Sequence, residues 1–199
     1  MARARYGIAA RAVCLAACLP LAACLASGEP EFPQKALRSV AFHDGAVTVG
    51  GPRGYCIDRA SISRDAGGRF ALLASCESLT GQPGITVAPA VMTVAVLPRG
   101  SAVAQPDATA MADALGPNAV LRTDEADGIT LVQVANGGET VLPGGDPSHW
   151  RASMMINGHI VGLAAYGPNG GEIAGPRGRD LLRELAEALR AASAPDDGI

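Results

Sequence analysis

Three histidines, two arginines beside a glycine-rich stretch, and five cysteines are the residues whose types and spacing could do chemistry. Asp146, Ser148 and His149 supply the parts of a nucleophile, a base and an orienting carboxylate, the set used for acyl transfer. Close neighbours on one loop rarely meet the geometry that such a set needs. The simpler reading is a turn that leads into a strand, with Trp150 packed inward. His43 and His159 each abut a predicted hairpin turn. His149 and His159 sit at opposite ends of one hairpin, ~20 Å apart at the rise of a strand, so they cannot share a metal within one molecule. Residues 167–179 are glycine-rich and run into a predicted helix, with Arg177 and Arg179 at its mouth. Amides at a helix start plus two guanidiniums are the chemistry of a carboxylate or phosphate site. The alternative is a loop whose arginines are solvated or paired with surface acids. No Gly-x-Ser-x-Gly elbow, His-Glu-x-x-His pair or phosphate-binding loop occurs, so neither a cofactor nor a metal site is expected.

The N-terminus reads as an address. Arg3, Arg5 and Arg11 precede an uncharged run from residue 12 to residue 23, the charged and apolar regions of an export signal. Twelve helical residues span only about 18 Å, too little for a hydrocarbon core of ~30 Å. The run ends in Leu21-Ala22-Ala23-Cys24, which closely resembles the lipobox of bacterial lipoproteins. The resemblance covers about two dozen residues. It implies that the Cys24 thiol receives a diacylglyceryl group, that residues 1–23 are removed, and that the new amine is acylated. Several acyl chains on one residue hold firmly, where a single chain holds only marginally. Leu15-Ala16-Ala17-Cys18 is a second copy, but Arg11 leaves it a very short apolar run. Leu25 follows Cys24 in place of the family's inner-membrane retention aspartate, which implies the periplasmic leaflet of the outer membrane. An ordinary signal cleaved near Ala26-Ser27-Gly28, giving a soluble periplasmic protein, is the alternative.

On that reading Cys14 and Cys18 leave with the signal and Cys24 carries lipid, so Cys56 and Cys76 remain. An even remainder in an oxidising compartment reads as a disulfide. Asp65-Ala66-Gly67-Gly68 is a turn signal between two strand-like runs. A hairpin folded about Ala66 sets Cys56 opposite Cys76, ~4.5 Å apart at Cα and within bridging range. A redox-active pair is the alternative, although no Cys-x-x-Cys is present.

Composition bounds the partners. The formal net charge is −3, and three of the sixteen basic residues lie in the first 23 while all 19 acidic ones lie beyond. The mature chain is therefore more acidic still, which speaks against nucleic acid and against electrostatic adhesion to anionic lipid. Aromatics are only 4%, so the core must be filled by aliphatic residues and Met.

The elements that position these residues follow from pattern. Residues 24–37, with Pro30 and Pro33, read as the lipidated N-terminus and a flexible tether, 38–192 as a single domain, and 193–199 as a disordered tail. Asp44-Gly45 signals a two-residue hairpin. Residues 87–97 read as a buried strand. A short helix over 107–115 has Ala108, Met111, Ala112 and Leu115 as its buried stripe. Asn157-Gly158 joins strands 149–156 and 159–166 in a type I′ hairpin. One face carries Trp150, Ala152, Met154, Ile156, Val161, Leu163 and Ala165. The other carries Arg151, Ser153, Met155, Ile160, Gly162 and Ala164, small enough to seat a closely packed helix, the predicted one over 180–192.

The order of elements predicts an α+β domain, an antiparallel sheet with packed helices and a long C-terminal helix. Over residues 38–192 it resembles PsbP-like domains in the closing hairpin and final helix, a resemblance of fold that transfers no activity. The functional expectation is a non-enzymatic, membrane-anchored envelope module that interacts with, or assists the assembly of, an envelope protein. A binding domain for a small anionic ligand at Arg177 and Arg179 is second, and a hydrolase with an unrecognised site is third.

Overall fold

The computed structural model describes residues 35–193. The segment expected to be an export signal, Cys24, most of the expected tether and nearly all of the expected tail lie outside the described residues. Ordered pairing begins by Leu37, which bridges Ile57 antiparallel, one residue before the boundary read from sequence. At the other end Ser193 is part of the fold, because its hydroxyl accepts from the Thr48 amide and donates to the Leu189 carbonyl.

Strands β1 (Ser39–Phe42) and β2 (Val47–Gly50) form a separate antiparallel pair. Their connection spans four residues rather than two. His43 and Asp44 as well as Gly45 take positive φ, at 50°, 57° and 95°. β3 (Tyr55–Ile57), β4 (Ser63–Asp65) and β5 (Gly68–Ser75) follow, then α1 (Cys76–Thr80) and β6 (Val91–Val96). The strand expected over 87–97 is thus limited to its second half. α2 (Ala108–Leu115) precedes β7 (Val120–Ala126) and β8 (Ile129–Val134). A single turn, α3 (Gly138–Val141), leads to β9 (His149–Ile156) and β10 (His159–Tyr166), and α4 (Pro176–Ala192) closes the fold. The main sheet is antiparallel throughout, in the order β3-β5-β6-β10-β9-β8-β7, with β4 also paired to β5. The fold is therefore mixed α+β, a large antiparallel sheet with a long C-terminal helix.

The β9–β10 register is the one its turn dictates. Asn157 and Gly158 both have positive φ, as a type I′ turn requires, and His159 pairs with Ile156. The cysteine hairpin differs from expectation in register, not in partner. A 3-10 turn at Arg59–Ser61 takes up residues between β3 and β4, so Cys56 faces Ala74 and Cys76 lies just beyond the strand, opening α1. The two cysteines are disulfide-bonded with Cα atoms 4.8 Å apart.

α4 packs against the face of the sheet that carries Trp150, Ala152, Met154 and Leu163, not against the small-residue face expected to seat it. Its stripe of Leu181, Leu182, Leu185 and Leu189 is wholly buried there. The small residue that lets helix and sheet approach is on the helix. A Cβ on Gly178 would lie 2.8 Å from Trp150 Cδ1 and would strike the Ile173 carbonyl. The Trp150 indole N–H donates to the Gly175 carbonyl at 2.8 Å, and Gln133 donates to the Ala174 carbonyl at 2.7 Å. These bonds tie the start of α4 to β9 and β8. Phe42, Val47 and Val49 of the β1–β2 pair complete this core.

Candidate functional site

With α4 on one face, the other face of the sheet is left partly open, and the register defines its floor. Arg151, Ala164 and Thr93 lie side by side across β9, β10 and β6, and the next row on the same face is Ser153, Gly162 and Ala95. Apart from Arg151, these side chains are small and rise little above the strands. α2 crosses at one side and contributes Met111, Ala114 and Leu115, with Pro106 ahead of it. Between helix and sheet is a groove of about 310 Å³, within the lower range of small-molecule sites. The stripe expected to be buried on α2, Ala108, Met111, Ala112 and Leu115, faces the sheet side but is only half-buried, because the groove lies beneath Met111 and Leu115.

The helix is held in place from both ends of its approach. Asp107 caps it by accepting from the Ala110 amide at 2.8 Å, and Glu125 of β7 accepts from the Ala108 amide at 2.9 Å. Carboxylates suit a helix N-terminus because they satisfy orphan amides and meet the positive end of the dipole. Just before α2, the Gln105 side-chain amide donates to Thr130 Oγ1 at 3.2 Å and to the Ser153 carbonyl at 3.0 Å.

Two polar groups of β9 stand out in the groove. Arg151 is exposed, and among the described residues no carboxylate forms an ion pair with it. Ser153 is 5% exposed, and its hydroxyl has no hydrogen-bond partner. A buried hydroxyl without a partner loses its interaction with water and gains nothing in return. Beyond the groove the same face continues through half-buried Phe70 and Leu72, and Leu97 and Met155 are each 37% exposed.

The residues singled out from sequence are placed elsewhere. α4 starts four residues earlier than predicted, with Pro176 in its first turn, so Arg177 and Arg179 belong to the helix and not to a loop mouth. Arg177 bonds Glu184 at 2.6 Å, Arg179 bonds Asp180 at 2.8 Å, and Arg183 bonds Asp124 at 2.9 Å. Both guanidiniums thus already hold carboxylates. Asp146 accepts from the Ser148 and Gly170 amides, fastening the 144–148 loop to the 167–171 turn. Ser148 Oγ accepts from Gln133, and His149 Nδ1 contacts the Pro147 carbonyl while its ring stacks on Tyr166 with centroids 4.9 Å apart. No hydrogen bond joins these three side chains to one another among the described residues. Burial holds the His149 imidazole below its usual pKa. His43 and His159 meet instead, stacked with centroids 4.2 Å apart, and His159 Nδ1 lies 2.8 Å from the Leu97 carbonyl. Burial, followed by the neighbouring His159, lowers the His43 pKa. Among the described residues no group of three or more His, Cys, Asp or Glu side chains could hold a metal ion, and no helix is long and apolar enough to cross a membrane.

Sequence reasoning missed the groove. Its signal is the alternation of Arg151, Ser153, Gly162 and Ala164 on one face, a pattern that suits a seat for the final helix equally well. No protein-family model, curated protein or solved structure matches this chain.

Proposed function

We propose that this protein is an envelope lipoprotein, tethered through lipid on Cys24 to the periplasmic leaflet of the outer membrane, whose domain is a non-enzymatic binding module. The observation that carries the binding role is the partly open apolar sheet face beside α2. Leu97 and Met155 are exposed on it and Phe70 and Leu72 are half-buried. Contiguous exposed apolar surface on a folded domain marks a place of interaction. The proposed partner is an envelope protein that covers this face. The order of elements is similar to that of PsbP-like domains, a likeness of architecture that brings no activity.

Two measurements test this reading. Intact mass of the gene product from bacterial membranes, before and after reduction and alkylation, should give a chain that starts at Cys24 with added acyl mass and two thiols freed only by reduction. An unmodified chain that starts near Glu29 would remove the anchor. Pull-down from envelope membranes should then enrich a partner that is lost with a Leu97→Asp, Met155→Asp double variant. Equal recovery by the variant would remove the open face from the reading.

The second reading, a binder of small anionic ligands, is favoured by one observation, the unpaired Arg151 guanidinium in the groove. Arg177 and Arg179 lend it less, because each is bonded to a carboxylate.

A further inference from the structure

The groove beneath α2 has a chemical polarity of its own. Its floor of Ala95, Gly162 and Ala164 and its Met111–Leu115 wall are apolar. Its charged and orphaned groups, Arg151 and Ser153, both come from β9, two residues apart on one face and so ~7 Å from each other along the strand. Among the described residues Arg151, like most arginines outside α4, holds no carboxylate, but it is the one charged residue that lines this groove, in a chain whose formal charge is negative. An occupant that satisfies the groove needs an apolar body to lie along the small floor. It also needs an anionic head to meet the guanidinium, and an oxygen to meet the Ser153 hydroxyl.

We propose that this groove binds a single-chain amphiphile with an anionic head, the head forked by Arg151 and the chain laid over Gly162 and Ala164 against Met111 and Leu115. This rests on reading the open sheet face as a binding surface, and it names a ligand class for the enclosed part of that face. Guanidinium pairs with carboxylate and phosphate alike, in both cases through two parallel hydrogen bonds. The head group therefore fixes charge and planarity of contact, and the chain supplies the apolar area.

Gly162 offers a clean block. A Cβ there would meet nothing nearer than the Ala95 carbonyl at 3.9 Å, so Gly162→Leu puts a side chain into the groove without a collision at its base. The experiment is calorimetric titration and thermal melting of the full chain carrying Cys24→Ser, with decanoate below its micelle concentration. Decyl phosphate, decanol and acetate are parallel arms. Decanoate or decyl phosphate should bind and raise Tm; with chain length matched, whichever binds more tightly identifies a fatty-acid or a phosphate-headed source. Decanol should bind at least tenfold more weakly, and acetate should not bind. Arg151→Gln should weaken decanoate about tenfold, and Gly162→Leu should abolish binding with Tm unchanged. Ser153→Ala should weaken binding severalfold while leaving the free protein as stable or more so, a split that a structural serine would not show. Equal affinity of wild type and Arg151→Gln, or no binding of either anionic amphiphile, overturns the proposal. If the Leu97→Asp, Met155→Asp variant still loses its membrane partner in that case, the binding-module reading stands without the amphiphile.

Discussion

Replacing Gly178 with alanine tests the argument that a helical glycine sets the distance between α4 and the sheet. On helix propensity alone the change should stabilise, since glycine costs about 1 kcal/mol relative to alanine inside a helix. The packing predicts the opposite sign. The new methyl would lie 2.8 Å from Trp150 Cδ1 and would run into the Ile173 carbonyl, which is backbone and held by its own 3-10 turn. Trp150 cannot swing away freely, because its indole N–H is bonded to the carbonyl of Gly175, the residue that caps the start of the same helix. Overpacking of a dense core costs about 1–3 kcal/mol, and a methyl driven into fixed backbone belongs in the upper half of that range. A net loss of about 1–2 kcal/mol is expected once the propensity gain of about 1 kcal/mol is set against it. For a domain of this size that lowers Tm by roughly 3–6 °C. Trp150 is the sole tryptophan of the chain, so its fluorescence reports unfolding and the local disturbance together. Equilibrium urea unfolding followed by that signal gives the free-energy difference, and near-ultraviolet dichroism of the folded variant shows whether the indole has moved. A Gly178→Ala protein as stable as wild type, or more stable, would refute the close-contact argument and with it the account of why α4 chose this face.

Reduction, or a Cys56→Ala, Cys76→Ala double substitution, should cost about 3 kcal/mol, the chain-entropy value for a loop closed by cysteines 20 residues apart; no shift in the unfolding midpoint would refute it. Stability should fall as pH drops below about 6.5, the ordinary histidine pKa. His43 and His149 are held below that value when folded, so the unfolded chain binds more protons and gains on the folded one as the solution is acidified. The pH slope should flatten in His149→Gln, and an unchanged slope would remove His149 from the explanation. Asp124→Asn should destabilise by no more than ~1 kcal/mol despite losing its bond to Arg183, because the pair is partly exposed and solvent screens it. A loss of several kcal/mol in thermal unfolding would show that the pair is far better shielded than its exposure indicates.

The parts of the fold that could be read from the chain are those with local causes. Asn157-Gly158 demands positive φ at two residues, which fixes the turn, the register and therefore which side chains share a face. Asp107 ahead of an alanine-rich run marks a helix start because its carboxylate caps the Ala110 amide. What could not be read has non-local causes. Asp44-Gly45 is as good a two-residue signal as Asn157-Gly158, yet the turn widens as His43 takes a positive φ and its ring meets His159, more than a hundred residues away. The 3-10 turn at Arg59–Ser61 shifted the cysteine register because Asp58 caps it and Ser61 donates to the Asp58 carbonyl, an alternative that the alternating pattern does not announce.

The same limit explains the site. A strand face of serine, glycine and alanine is compatible with two outcomes, a helix packed close or a floor left open, and the strand sequence does not choose between them. The choice was made on α4, where Gly178 supplies the close approach and four leucines need a broad apolar surface. Only the Trp150, Met154 and Leu163 face offers that surface, so the small-residue face was released. α2 is too short, and tied too firmly to β7 by Glu125, to cover what α4 left. Arg151 and Ser153 are available to a ligand only because that face is partly open. On a helix-covered face the same two residues would have required partners from the helix, and none of the α4 arginines or acids reaches them. The groove is thus a consequence of where two helices went, and its chemistry is carried by residues whose types alone gave no reason to choose them.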